Sequence, residues 1–184
     1  AGAGDGNDDG CADLVGGAGG PASLYDNHGS PGGLLGAVSS SAWSAASENA
    51  GDLLGRAVAS AGDVNGDGYA DLVAGASQHD GGRGKVYVFH GSAAGIAGTP
   101  AAPAWHAEGE SPGDFFGYTV AGAGDVNGDS YADVLAGADG RDSYTGKVYV
   151  FDGSAAGIAG SPGAPAWSAA GEAAGDYFGS GVAG

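Results

Sequence analysis

Methionine is missing from this 184-residue chain, cysteine occurs once, and lysine and arginine together number five. Each scarcity removes a class of function. A single cysteine, Cys11, permits no internal disulfide and no cysteine-rich zinc site. It reads as a buried, inert thiol, with an intermolecular disulfide left open only in an oxidising setting. Five basic side chains (Arg56, Arg83, Lys85, Arg141 and Lys147) against 22 acidic ones leave a formal net charge of −17. Nucleic-acid binding needs a basic footprint that is not there, and an anionic membrane surface repels such a chain. No apolar run reaches the length of a transmembrane helix, so membrane insertion is not expected. No signal-peptide pattern opens the chain, which starts at Ala1 and reads as a mature or trimmed product or a segment of something longer. Gly-x-Ser-x-Gly, Walker A and His-Glu-x-x-His motifs are absent, and the chain does not read as an enzyme. His28, His79, His90 and His106 recur at no metal-ligand spacing and read as surface residues. There is no Asn-x-Ser/Thr sequon; Ser39-Ser40-Ser41 and the Thr99-Pro100 region are weak candidates for O-linked sugar.

Glycine, by contrast, is abundant at 42 residues, but with no strict three-residue period, which excludes collagen. Recurring Val, Leu, Tyr, Phe and Trp positions supply a core and argue against low-complexity disorder. Between them one nine-residue pattern recurs three times: Asp63-Val64-Asn65-Gly66-Asp67-Gly68-Tyr69-Ala70-Asp71, Asp125-Val126-Asn127-Gly128-Asp129-Ser130-Tyr131-Ala132-Asp133 and, more worn, Asp5-Gly6-Asn7-Asp8-Asp9-Gly10-Cys11-Ala12-Asp13. Oxygen side chains stand at positions 1, 3, 5 and 9, with a sharp turn at position 6 and a backbone carbonyl at position 7, which is how a chain wraps a hard cation. The expected ligands are Asp5, Asn7, Asp9, the Cys11 carbonyl and Asp13; Asp63, Asn65, Asp67, the Tyr69 carbonyl and Asp71; and Asp125, Asn127, Asp129, the Tyr131 carbonyl and Asp133. All-oxygen ligation at this count suits Ca2+ over zinc or magnesium, up to three ions, one per repeat. Nine of the 22 acidic residues are loop carboxylates, so much of the acidity is ligand charge that repels itself without metal. Ser130 replaces the position-6 glycine and is expected to strain its loop by about a kcal/mol. Loops of this kind fill where calcium is millimolar, which points to an extracellular, secreted or cell-surface address. The plain alternative is a set of Asp/Asn turns without metal.

Trp43, Trp105 and Trp167 are equally spaced, and Gly55, Gly117 and Gly179 keep the same interval. The loop starts Asp63 and Asp125 keep it too, whereas Asp5 and Asp63 fall four positions closer together. One unit of about 62 residues therefore occurs three times, with the first copy short by that difference. In the third unit Phe116-Gly117-Tyr118-Thr119-Val120-Ala121 leads into the loop, Tyr131 to Gly137 follows it, Gly146-Lys147-Val148-Tyr149-Val150-Phe151 alternates, and a Gly/Ala/Pro stretch leads to Ala166-Trp167. The second unit repeats this order. Short runs rich in β-branched and aromatic residues, bounded by Gly, Asp and Pro, are strands. Segments 91–103 and 153–165 are loops or one short helical turn. Four short strands per repeat define a β-propeller blade.

Phe116-Gly117, the Asp-x-Asn-x-Asp-Gly-x-x-Asp loop and the tripeptides Gly75-Ala76-Ser77 and Gly137-Ala138-Asp139 resemble the FG-GAP repeat of integrin α subunits and many secreted bacterial proteins. The resemblance implies an all-β fold of calcium-binding propeller blades, with integrins implying a seven-bladed wheel. The first unit departs from it, offering only Leu34-Leu35-Gly36-Ala37-Val38 where a third strand is needed. The expected organisation is a single domain over 1–184, with repeats at roughly 1–53, 54–115 and 116–175. Residues 176–184 then supply a first strand for the blade that residue 5 begins with none before it. Incomplete blades at both ends point to a calcium-stabilised structural or adhesion module that associates with copies of itself, as a closed oligomer or head-to-tail filament. The alternative is a ligand-binding propeller, lectin-like toward glycans or integrin-like toward extracellular proteins. The three tryptophans read as blade-to-blade packing, with sugar stacking as the other use.

Overall fold

The computed structural model describes residues 2–18, 23–33 and 41–184. The fold is all-β: three four-stranded antiparallel sheets, each built from consecutive strands. The first blade is β1 (Gly2–Gly4), β2 (Asp13–Ala18), β3 (Ser23–Asn27) and β4 (Trp43–Ala46). The second is β5 (Ala57–Gly62), β6 (Asp71–Ala76), β7 (Lys85–Phe89) and β8 (Trp105–Glu108), and the third β9 (Thr119–Gly124), β10 (Asp133–Ala138), β11 (Lys147–Phe151) and β12 (Trp167–Ala170). Each nine-residue acidic loop is the turn between a blade's first two strands. Two short helical turns, α1 (His79–Gly82) and α2 (Arg141–Tyr144), lie in the β6–β7 and β10–β11 hairpins. Both are kinked by positive φ at Asp80 and Asp142. Segments 91–103 and 153–165 hold no helix, only turns and the bridges Thr99–Ala102 and Ser161–Ala164.

Central strands are covered on both faces, because blades stack face to face. All six residues of β6 and all five of β7 are buried, so these strands read as continuous apolar runs rather than alternating ones. One core lies between the first two blades (Val15, Leu24, Leu54, Leu72, Tyr87, Phe89) and another between the second and third (Val73, Val86, Val88, Phe116, Val134, Phe151). The motif glycines sit where the chain crosses between blades. A Cβ on Gly75 would lie 2.0 Å from the Gly117 carbonyl oxygen, and Gly117 itself has φ +80°. Only glycine allows that approach and that backbone angle together. The Gly117 N–H in turn donates to the Gly137 carbonyl at 2.9 Å, locking the crossover onto its own blade.

Polar side chains repeat across each seam. Glu48, beyond β4, accepts from Lys85 Nζ (2.9 Å) and Tyr87 Oη (3.1 Å) of the second blade, while Asp52 Oδ2 meets His79 Nδ1 at 3.0 Å. One repeat later Glu110 accepts from Lys147 Nζ (3.3 Å) and Tyr149 Oη (3.1 Å). Arg141 spans Glu110 (2.7 Å) and Asp114 (3.0 Å). Trp43 packs on Phe89 and Trp105 on Phe151, with ring centroids 5.2 and 5.0 Å apart. These two tryptophans are therefore seam residues. His79, expected at the surface, is instead a mostly buried clamp between blades.

Two expectations for the first blade are corrected. Gly2–Gly4 forms a first strand paired with β2, so this blade does not begin without one. Its third strand is Ser23–Asn27, in full register with β2 and β4; Leu34–Val38, the segment expected to fill that place, lies outside the described residues. Asp26 and Asn27 hid the strand, standing where the second blade has Val88 and Phe89. At the other end, residues 171–184 contain no strand; Phe178 bridges Gly146 as Phe116 bridges Gly84.

Candidate metal centre

Each loop turns its backbone N–H groups inward onto the position-1 carboxylate. Asp63 accepts from Gly66 (2.7 Å), Asp67 (3.1 Å) and Gly68 (2.8 Å), and Asp125 accepts from Gly128, Asp129 and Ser130 at 2.7, 3.0 and 2.8 Å. In the first loop Asp5 accepts from Asp9 and Gly10 at 3.0 and 2.8 Å. Positions 3 and 5 face each other: the amides of Asn7, Asn65 and Asn127 donate to the carboxylates of Asp9, Asp67 and Asp129 at 2.9–3.1 Å. The position-5 carboxylate then accepts from the N–H at position 7, Cys11, Tyr69 or Tyr131, at 2.9–3.0 Å. The inward donors, Ser130 first, hold the Asp125 carboxyl below its ordinary value despite its exposure. Ser130 carries the left-handed φ of +75° that its place in the turn demands, and Gly10 and Gly68 carry +85° and +92°.

Position 9 stands apart from this cluster. Asp13, Asp71 and Asp133 are buried beneath their loops, the last two completely. Asp71 Oδ2 accepts from Val64 N and Oδ1 from Gly91 N, both at 2.8 Å. Asp133 does the same with Val126 and Gly153, and Asp13 with Gly6 and Gly29. This carboxylate braces the loop start to the segment after the third strand, a role that spacing does not reveal. Burial pushes the Asp71 carboxyl up to about 6, against the pull of its two backbone donors. Thus positions 1, 3 and 5 converge at the loop mouth, position 7 closes the turn through its N–H, and position 9 lies below. Among the described residues no three His, Cys, Asp or Glu side chains converge as a metal cluster. Each mouth instead gathers two carboxylates and an amide. The Cys11 thiol is half-buried, and partial burial and the Asp9 carboxylate push it up, away from thiolate.

The loops are also joined to one another. Ala70 N donates to Asp5 O (3.4 Å) and Ala132 N to Asp63 O (2.9 Å). Ser92 N reaches Gly6 O and Ser154 N reaches Val64 O, both at 3.1 Å. The backbone that carries each of the first two acidic mouths is therefore also the backbone on which the next blade rests.

Consecutive four-stranded sheets stacked face to face, each with an acidic loop between its first two strands, are the blades of a β-propeller. A family model described as FG-GAP repeat matches residues 54–89 and 116–151, each span running from the crossover to the end of the third strand. The chain is 35% identical over 149 residues, 72% of its length, to integrin alpha-7 of Rattus norvegicus. It is 44% identical over 87 residues, 47% of its length, to integrin alpha-6 of Gallus gallus. Against integrin alpha-PS2 of Drosophila melanogaster it is 39% identical over 102 residues, or 53% of the chain. The chain covers 12%, 8% and 7% of those three relatives, respectively. It belongs to the FG-GAP repeat family, of the integrin α-like kind.

Proposed function

We propose that this chain is a calcium-stabilised, non-catalytic sector of an extracellular propeller that serves adhesion or ligand binding, within the single domain 1–184. The observation that carries the reading is the row of three acidic loop mouths, hydrogen-bonded loop to loop along one edge of the blades. The donor set suits a hard cation: Asp5, Asn7 and Asp9, Asp63, Asn65 and Asp67, and Asp125, Asn127 and Asp129 offer only oxygen once each amide turns its Oδ1 inward. The position-7 carbonyls of Cys11, Tyr69 and Tyr131 are the remaining near donors. Asp13, Asp71 and Asp133 hold the loops from below and have lone pairs left for the ion. Bound calcium would neutralise facing carboxylates in each mouth and so fix the hairpin and the seam beside it. An adhesion module assigned to the cell surface rests on the integrin α-like relatives, and its partner is then an extracellular protein or glycan.

Thermal unfolding in calcium, in magnesium and in chelator tests the cation part. With free calcium at ten times the dissociation constant, each site adds about 1.4 kcal/mol, or about 4 kcal/mol for three sites. For a chain of this size that raises Tm by about 10 °C. Equal Tm in calcium and chelator refutes calcium stabilisation. Binding of the immobilised, calcium-loaded chain to panels of extracellular proteins and glycans tests the adhesion part.

A further inference from the structure

The first acidic loop differs from the other two in what stands behind its asparagine. Asp5 draws two inward N–H donors, Asp9 and Gly10, where Asp63 and Asp125 each draw three. Asn7 Nδ2, besides donating to Asp9 Oδ2, donates to His28 Nδ1 at 3.3 Å. Among the described residues, Asn65 and Asn127 donate only to the facing carboxylates of Asp67 and Asp129. His28 lies just past β3, and its Nε2 stands 3.3 Å from Asp26 Oδ2. Asp26 is fully buried, and among the described residues neither its oxygens nor His28 Nε2 has an aligned hydrogen-bond partner. An enclosed carboxylate without a donor is costly, so the imidazole meets it proton first: Nε2–H toward Asp26 leaves Nδ1 as an acceptor. The second blade walls the ring in, since a Cβ on Gly95 would lie 2.3 Å from His28 Nε2. His90 stands one repeat after His28, but Val88 replaces Asp26 there, and among the described residues its buried Nε2 meets no partner.

We propose that Asp26 and His28 are positioning residues for the first loop, acting on its cation through Asn7. The proposal rests on the calcium reading above. For Asn7 to give Oδ1 to an ion, its Nδ2 must leave the Asp9 carboxylate, which is a ligand itself. His28 Nδ1 receives that N–H, and Asp26 fixes the tautomer that makes Nδ1 an acceptor. Groups standing behind metal ligands orient them, and their loss lowers metal affinity about 10–100-fold. Asp26 is also a buried charge at a position that is Val88 and Val150 in the other blades. It therefore weakens the fold while strengthening the loop, a combination that a structural role alone does not give.

Calcium titration of the 15N-labelled 184-residue chain at fixed pH tests this. The Gly10, Gly68 and Ser130 amides read the three loops separately, because each donates to its own loop's position-1 carboxylate. Asp26→Val and His28→Leu should each raise the dissociation constant at Gly10 about tenfold and leave those at Gly68 and Ser130 within about twofold. Asp26→Val should nonetheless keep Tm in chelator at or above that of wild type. His28→Asn, whose Oδ1 can accept from Asn7, should recover part of the lost affinity. Asp26→Val should add nothing in the His28→Leu background, since it acts through the ring. Long-range 1H–15N spectra should place the His28 proton on Nε2. Asp26→Val decides the matter if His28→Leu does not fold. An unchanged dissociation constant at Gly10, a His28 proton on Nδ1, or a full Asp26→Val effect without the imidazole overturns the proposal. If Gly68 and Ser130 also fail to titrate, the calcium reading falls and takes this proposal with it. If they titrate and Gly10 ignores the substitutions, only the positioning role falls.

Discussion

Replacing Asp71 by Asn separates a brace from a ligand. Asp71 is fully buried, and its two oxygens accept from Val64 N and Gly91 N at 2.8 Å each. An asparagine of the same shape keeps one acceptor and turns an NH2 toward the other donor. One charge-assisted hydrogen bond is lost and one buried N–H is left opposing a donor, a cost of about 2–3 kcal/mol. For a chain of this size that lowers Tm by about 4–12 °C. Unlike a ligand's contribution, this loss is present without metal. The measurement is thermal unfolding of wild type and Asp71→Asn, each in chelator and in saturating calcium. A brace gives a loss of several degrees in both conditions. A variant that matches wild type in chelator and falls behind only in calcium would refute the reasoning and make Asp71 chiefly a metal ligand.

Three further outcomes are expected. Gly75→Ala sets a Cβ 2.0 Å from the Gly117 carbonyl, where backbone must move, and should cost about 3 kcal/mol by chemical denaturation, the upper end of overpacking; a cost under half of that would mean the seam is slack. Ser130→Gly relieves a side chain held at φ +75° and should add about 1 kcal/mol to stability, checked by the denaturation midpoint at unchanged slope. Burial opposes ionisation of Glu48 and Glu110, but the hydrogen bonds from Lys85 and Tyr87 to the one, and from Arg141 and Lys147 to the other, hold both below the ordinary value of 4.5. A depressed carboxylate stabilises the fold above its ordinary value and loses that contribution as pH falls through its folded value. Tm should therefore drop below pH 4.5, and a Glu48→Gln/Glu110→Gln double variant should lose stability near neutrality and show a shallower acid limb; an identical acid limb would remove these seams from the explanation.

The loops, the repeat and the strand order were legible because each rests on local chemistry. Asp, Asn and Gly at fixed offsets make the turn, and Lys-Val-Tyr-Val-Phe makes a strand that is buried on both faces. What escaped the sequence are features created by partners outside the local motif. Position 9 reads as one more oxygen in a ligand list, but Gly91 N, far along the chain, makes it a buried brace. His79 has no motif around it, and its partner Asp52 lies in the connection from the preceding blade. Gly2–Gly4 has no bulky or β-branched residue to announce a strand; it is fixed by pairing with β2.

The first blade shows how a mismatch in period localises a structural change. Its β3 precedes β7 by one full repeat, whereas its β2 precedes β6 by four positions less. The missing residues therefore belong between β2 and β3, where the other two blades place the helical turn that carries His79 or Arg141. Ser23 for Lys85 and Asn27 for Phe89 then fall on the same face as the shortened hairpin. Three departures that look scattered in the sequence thus belong to one surface, the one that meets a blade on the upstream side. On the opposite surface the first blade keeps Trp43, Glu48 and Asp52, all engaged by the second blade. Asp26, fully buried at a position that is valine in both other blades and 3.3 Å from His28, alternates with Ser23 and Asn27 along β3 and so is a separate change, on the Leu24 face toward the second blade. The shortened hairpin, Ser23 and Asn27 thus set the first blade apart on one surface, while its Trp43, Glu48 and Asp52 contacts to the second blade repeat those of Trp105, Glu110 and Asp114 with the third.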